Sequence, residues 1–145
     1  MSTINFLSKK IEMPKFDEEK VRTWIEEVAR RHDRRVGDLN YIFCNEEKIL
    51  EVNIEFLQHD YYTDIITFDY STKRKISGDI FISLDTVASN AELFAKDYDE
   101  EFMRVVIHGV LHLCGINDKG EGEREIMEQH ENDALALWTN DISKI

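Results

Sequence analysis

The N-terminal third of the chain shows two kinds of hydrophobic pattern, one typical of strands and one typical of an amphipathic helix. The stretches "TINFLSK" (3–9) and "LNYIFC" (39–44) are rich in β-branched and aromatic residues and are predicted to be strands. Between them, Asp17 precedes apolar residues spaced three and four apart, which predicts a capped helix. The apolar face of that helix consists of Val21, Trp24, Ile25, Val28 and Ala29.

The middle of the chain continues with one helix and a pair of strands. Asn45 is positioned to cap a second helix, which should end near His59. The stretches "TDIITFDY" (63–70) and "GDIFISL" (78–84) flank a polar turn and predict a hairpin with Lys73–Lys75 at its tip. The spacing of the second helix predicts an apolar face made of Ile49, Leu50, Asn53, Phe56 and Leu57.

The C-terminal half is predicted to be helical. Amphipathic segments cover 85–96, 99–113 and 121–139. The pattern therefore predicts one domain spanning 1–145, of α/β (α+β) type, with a small mixed sheet of about four strands packed by about five helices. In the last two helices the predicted buried residues are Phe102, Val106, Val110 and Leu113, then Ile126, Met127, Ala134, Leu137 and Trp138.

Composition indicates the class of protein and its expected cellular location. The 145 residues include one proline, and no apolar run is long enough to span a bilayer. The first twenty residues include several charged side chains and lack the apolar stretch of a signal peptide. We therefore expect a cytoplasmic protein with no membrane partner. Cys44 and Cys114 stand in different segments, which indicates reduced, buried thiols.

The net charge of −12 repels a polyanion, so any contact with nucleic acid has to be local. Two basic clusters could provide it. One lies in "ARRHDRR" and comprises Arg30, Arg31, Arg34 and Arg35; the other is Lys73–Lys75. Each also has an ordinary structural explanation, because cations complement the dipole at a helix C-terminus and charges at a hairpin tip keep a protein soluble.

Candidate chemistry is concentrated in "VVIHGVLHLCGIND" (105–118). Residues four apart on a helix share a face, so His108 and His112 can share a metal ion. Gly115 can end the helix in a left-handed conformation and let Asp118 return to that face. Two imidazoles and one carboxylate leave a tetrahedral position open, as in catalytic zinc sites. The alternative is that both histidines are satisfied polar groups at the edge of the core.

Other residues in the chain are weaker candidates. Gly109 occupies the position where His-Glu-x-x-His peptidases carry their general base, which disfavours a peptidase. His32 and His59 have charged neighbours and are interpreted as surface residues, whereas His130 is interpreted as a hydrogen-bonded core histidine. Asp64 begins a strand, where it could stabilise a loop or a substrate. No catalytic residue, general base or organic cofactor site is assigned from the sequence.

The histidine segment resembles the His-Gly-x-Leu-His-Leu-x-Gly-x-x-His signature of the YbeY family of bacterial metal-dependent endoribonucleases. The matching residues are His108, Gly109, Leu111, His112, Leu113 and Gly115. Upstream, "NIEFLQHDYYTDIITF" is similar to the family's Asn-x-x-Phe/Tyr segment leading into Thr-Asp-Val-Leu-Ser-Phe, and "GDIFIS" is similar to its Gly-Asp-Ile strand. The sequence departs from the pattern at Asp118, where the commonest signature has histidine, and at Leu57, where the family usually has arginine.

The resemblance implies a single-strand-specific endoribonuclease that processes the 3′ end of 16S rRNA and acts in ribosome biogenesis. It implies one zinc ion per chain held by His108, His112 and Asp118. Ribosomal RNA and ribosomal particles are the implied partners, together with a small-subunit ribosomal protein and an assembly GTPase; no DNA partner is expected. The alternative function is a ribosome-assembly factor whose metal mainly holds the fold.

Overall fold

A computed structural model describes residues 3–57 and 63–142. The predicted arrangement of five helices and a four-stranded mixed sheet is confirmed over these residues. The elements are β1 (Thr3–Lys9), α1 (Glu18–Arg31), β2 (Arg35–Cys44), α2 (Glu46–Leu57), β3 (Ile65–Asp69), β4 (Lys75–Ser83), α3 (Leu84–Leu93), α4 (Tyr98–Leu113) and α5 (Glu123–Leu137), followed by a π-helical turn (Trp138–Ile142).

The four strands lie in the order β1-β2-β4-β3. The first three are parallel to one another, and β3 pairs antiparallel with β4 as the predicted hairpin. Parallel neighbours need a crossover connection, and the helices that follow β1 and β2 supply it. Asp17 caps α1 by accepting a hydrogen bond from the backbone N–H of Lys20, as predicted.

The two faces of the sheet differ in polarity because side chains alternate along each strand. One face carries the main core, in which α1 and α4 pack over the aromatic residues of β2 and the isoleucines of β4, and α5 packs on α4. On the opposite face α2 buries Ile49 and Val52. The remainder of that face holds a ladder of hydrogen bonds that links Asn5, Asn40 and Asp79.

Two buried hydrogen bonds fix the helices that matter for the candidate site. The indole N–H of Trp24 in α1 donates to the carbonyl of Ala134 in α5, at 2.8 Å. The hydroxyl of Tyr41 in β2 donates to the carbonyl of Val106 in α4, also at 2.8 Å. Tyr41 is fully buried, so this bond satisfies a polar group that would otherwise be costly inside the core. Helices α4 and α5 are thereby tied to the rest of the core.

Some burial predictions were wrong. Ile126 is 55% exposed, because the inward face of α5 runs through Met127, Glu131 and Ala134. At the end of α2, Phe56 and Leu57 are also exposed, and only the earlier turns of that helix cover the sheet. Trp138 is partly buried and lies in the π-helical turn rather than in α5. No described helix is both long and apolar enough to cross a membrane.

Candidate metal centre

Gly109 sets how closely α4 approaches the sheet. A Cβ atom built at this position would lie 3.0 Å from Cδ1 of Ile80 and 3.3 Å from Cδ1 of Ile65, which is tight for a side chain of any size. The missing Cβ allows the helix to lie directly on β3 and β4. A glutamate here, as in the peptidase motif, would face the packed core and not a substrate. The structure therefore agrees with the sequence in disfavouring a peptidase of that type.

The turn after α4 has the predicted left-handed glycine. Gly115 has φ +97°, its N–H donates to the carbonyl of His112 at 3.0 Å, and the N–H of Ile116 donates to Leu111 at 3.1 Å. This pair of bonds is a Schellman motif, which ends a helix and reverses the chain. The reversal returns Asp118 to the helix, with its Oδ2 3.3 Å from Nε2 of His108.

His108 lies between two carboxylates. While Nε2 faces Asp118, Nδ1 is 2.7 Å from Oε2 of Glu131 in α5. Arg104, one turn earlier in α4, donates to the other oxygen of Glu131 at 3.0 Å and to Oδ1 of Asn132 at 2.9 Å. With Glu131 ionised, the ring proton belongs on Nδ1, which leaves the lone pair of Nε2 directed toward Asp118.

The electrostatics of this cluster follow from its contacts. Burial opposes charge on His108, but the hydrogen bond and charge of Glu131, with the charges of Asp118 and Asp64, raise its pKa. Burial likewise works against ionisation of Glu131, yet its bonds to His108 and Arg104 lower its pKa. Burial raises the pKa of Asp64, although His108 and backbone N–H groups act in the opposite direction. The cluster thus has an ionised Glu131 at its centre.

His112 lies one turn further along α4. Its ring is nearly parallel to that of His108, with an interplanar angle of 8° and a centroid separation of 6.5 Å. Its Nδ1 is buried and has no hydrogen-bond partner among the described residues. Because a buried polar atom without a partner is costly, this nitrogen is one sign of a missing ligand or contact.

The spacing of His108 and Asp118 is that of two ligands of one zinc ion. Two donors each about 2.0–2.1 Å from a tetrahedral ion lie roughly 3.3 Å apart. The separation between His108 Nε2 and Asp118 Oδ2 is 3.3 Å. Within residues 3–57 and 63–142, however, no three His, Cys, Asp or Glu side chains converge into a complete coordination shell. The donor types and the His108–Asp118 spacing fit zinc, and the full ligand set of His108, His112 and Asp118 stays a prediction.

Glu131 and Arg104 were not predicted from the sequence. A usable signal was present, because Glu131 interrupts the inward stripe of α5 between Met127 and Ala134. A charged residue on such a stripe requires a buried partner. Arg104 is four residues before His108 and therefore on the same helix face. The spacing of residues did not identify His108 as the partner of Glu131, because His108 lies in α4 and Glu131 in α5.

Two of the three remaining histidines, His32 and His130, form a second pair. His130 was predicted to be a hydrogen-bonded core residue, but it is half-buried, with its ring edge-to-face against His32 at a centroid distance of 5.1 Å. Both line an open cavity of about 510 Å³ between the end of α1 and α5. His32 is half-buried rather than a simple surface residue, and burial, His130 and Arg34 lower its pKa. His59 lies outside the described residues.

The cysteine prediction is confirmed. Cys44 and Cys114 are free and buried, and burial raises the pKa of each thiol to about 11. A thiol with a raised pKa is a poor nucleophile and a poor metal ligand. Neither cysteine belongs to the cluster around His108.

Fold and site together define a small α/β domain with a histidine and carboxylate centre at the end of one helix. Residues 3–139 match the family model described as Endoribonuclease YbeY. An Endoribonuclease YbeY from Parabacteroides distasonis is 60% identical over 134 residues, covering 92% of this chain and 94% of that protein. One from Phocaeicola vulgatus is 61% identical over 134 residues, covering 92% and 97%.

A solved structure gives the same result for the fold. The solution structure of TM1509 from Thermotoga maritima superimposes with a TM-score of 0.66 at 27% identity, covering 99% of this chain and 96% of that one. The chain belongs to the endoribonuclease YbeY family, which confirms the resemblance predicted from the signature.

Proposed function

We propose that this protein is a zinc-dependent endoribonuclease that hydrolyses single-stranded ribosomal RNA, at the 3′ end of 16S rRNA, in the cytoplasm. Endoribonuclease activity follows from membership of the family. The observation that carries the metal dependence is the position of His108, which has Glu131 on one ring nitrogen and Asp118 on the other. A carboxylate on the distal nitrogen is the usual partner of a metal-binding histidine.

Each residue of the candidate site has a separate role in this proposal. His108, His112 and Asp118 would hold the ion, which supplies a Lewis acid for phosphodiester hydrolysis. Glu131 holds the His108 proton on Nδ1 and fixes the plane of the ring. Arg104 keeps Glu131 ionised and in place through a 3.0 Å ion pair. Gly109 lets α4, which carries both histidines, pack closely against Ile65 of β3 and Ile80 of β4.

A second candidate function is supported by the end of α2. The family usually has an arginine where this chain has Leu57, which is 38% exposed beside the exposed Phe56. The helix therefore presents apolar groups where a guanidinium would contact phosphate. Together with the net charge of −12, this favours the alternative of a ribosome-assembly factor that binds particles or ribosomal proteins and uses the metal to hold its fold.

The two functions are separated by an RNA cleavage assay. The purified protein is incubated with a single-stranded RNA carrying the 16S 3′ region, and with the same sequence as a duplex. We expect cleavage of the single strand, loss of cleavage after chelation and recovery with zinc. His108→Ala should be inactive, and His130→Ala, which changes the other histidine pair, should be as active as wild type.

The outcomes assign the function. Equal cleavage by wild type and His108→Ala would identify a contaminating nuclease and remove the proposed site. Absence of cleavage by every form, combined with binding of ribosomal particles, would support the assembly factor instead.

A further inference from the structure

The two basic clusters of the sequence are brought together by the sheet. β2 begins at Arg35 and β4 begins at Lys75, and these two residues are partners in the parallel ladder. The N–H of Arg35 donates to the carbonyl of Arg74 at 2.8 Å. Paired strands are about 4.8 Å apart, so the cluster after α1 and the cluster at the hairpin tip lie side by side.

Only part of the first cluster is available for a ligand. Arg30 and Arg31 both pair with Glu27 in the preceding turn of α1. In contrast, no carboxylate within the described ranges forms a salt bridge with the cations nearer the sheet. We call these five residues the basic strip: Arg34, which is half-buried, and the exposed Arg35, Lys73, Arg74 and Lys75. The strip is a local concentration of unneutralised positive charge on an acidic protein.

The strip borders the candidate metal centre. A guanidinium nitrogen of Arg34 is 3.8 Å from the point where a Cβ on Gly115 would be, so it lies against the turn that returns Asp118 to His108. Leu113, at the end of α4, also lies over β4, because its Cδ2 is 3.3 Å from the corresponding point on Gly78. Arg34 therefore connects the basic strip with the turn that carries Asp118, while His108 lies further along β4, toward Ile65, Ile80 and Asp64.

An exposed aromatic ring adds a second recognition element. Tyr70 follows β3 in the same hairpin, its side chain is 63% exposed, and its N–H is bonded to the carbonyl of Ser77. Proteins that bind single strands combine cations that follow the phosphates with aromatic rings on which bases stack. A duplex would offer no unstacked base to such a ring.

We propose that the basic strip, with Tyr70, binds the phosphate backbone of single-stranded RNA on the side of the candidate metal centre where Arg34 meets the turn that carries Asp118. The choice of RNA as the ligand rests on the proposed function. The strip supplies the phosphate contacts that Leu57 does not, and it does so from a different part of the fold. The rest of the surface is acidic and repels phosphate, which restricts the RNA to the basic strip.

The test compares charge reversals that change the net charge equally. A fluorescent single-stranded oligouridylate of about ten nucleotides is titrated with the protein in a His112→Ala background, which prevents cleavage. We expect R34E/R35E and K73E/R74E each to weaken binding by about tenfold or more. Each should also flatten the salt dependence by about 0.7 per lost phosphate contact. The matched control R30E/R31E, outside the strip, should bind within about twofold of the parent.

Further measurements exclude simpler explanations. Arg35→Lys keeps the charge and should retain binding, whereas Tyr70→Ala should weaken it without changing the salt slope. In the native metal-loaded protein, the strip reversals should raise KM for RNA more than they lower kcat.

The outcomes distinguish the strip from the proposed function. Reversals that weaken binding no more than the control would overturn the strip, even if wild type cleaves RNA. Loss of ribosomal-particle binding with unchanged oligouridylate binding would also overturn it, in favour of a protein partner. Strip-dependent binding in a protein that never cleaves RNA would support the strip and contradict the proposed function.

Discussion

Two pairs of histidines adjoin different faces of α5, and their surroundings differ. His108 and His112 come from one helix, and His108 is bonded to Glu131. His32 and His130 come from α1 and α5 and meet edge to face. His130 and Glu131 are consecutive residues of α5, yet Glu131 contacts the first pair and His130 belongs to the second. Although burial opposes it, the hydrogen bond and charge of Glu131 and the charge of Asp118 raise the pKa of His108. Burial, His130 and Arg34 lower the pKa of His32.

The difference shows what separates a candidate metal ligand from an ordinary histidine. Both pairs have rings close enough to interact, so proximity alone is not the criterion. His108 has a carboxylate on each side, which fixes its tautomer and attracts a cation. His32 has a positive neighbour in Arg34, and Asp33 acts in the other direction. Metal binding should therefore depend on the first pair and be indifferent to the second.

The largest expected effect is on metal content. Wild type should bind about one divalent ion per chain, and His112→Ala should lose it, because one of the three proposed protein ligands is removed. His130→Ala removes a histidine from the other pair and should keep the ion. Elemental analysis of the three purified proteins measures this directly. Full occupancy in His112→Ala would show that the ion is held elsewhere.

Asp118 provides the next test. Asp118→Ala should release most of the metal, and Asp118→His should retain it, because imidazole nitrogen and carboxylate oxygen bind zinc at about the same distance, ~2.0–2.2 Å. Competition with a chelator gives the affinity of each variant. If alanine and wild type bind equally tightly, Asp118 contacts His108 without being a ligand.

Glu131 should have a smaller effect, because it acts through His108. Glu131→Gln keeps the size of the side chain but removes its charge, and we expect metal affinity to fall by about 10–100-fold. His130→Gln, at the adjacent position of α5, is the matched control and should not change affinity. Chelator competition on both proteins is the measurement, and equal affinities would show that Glu131 serves only to pair with Arg104.

The smallest effect concerns the second pair and pH. The pKa of His32 is lower in the folded protein than its unfolded value of about 6.5, so the unfolded chain takes up a proton first as the pH falls. The stability associated with a neutral His32 is therefore complete above about pH 6.5 and declines as the pH falls toward the folded pKa. His32→Asn should lose less stability than wild type between about pH 7 and pH 5.

Denaturant unfolding at the two pH values measures the His32 effect. Parallel pH dependence in both proteins would show that His32 is not the group responsible for it.

The sequence by itself determined the local features of this protein. Asp17 and Gly115 mark helix ends because a cap or a left-handed turn involves only neighbouring residues. The strands and the hairpin follow from stretches rich in β-branched and aromatic residues and from the polar turn between two of them. His108 and His112 share a face because four residues make about one helical turn. The family signature is local in the same sense, because its matching residues all lie within a few turns of one helix and the turn that follows.

The tertiary structure decided every feature that joins separate elements. Ile126 is exposed and Glu131 buried because the packing of α5 on α4 selects which stripe faces inward. The partner of His108 lies 23 residues away, and the two basic clusters meet only where β2 pairs with β4. Spacing along one element carries no information about such contacts, since they depend on how several elements pack around a shared core.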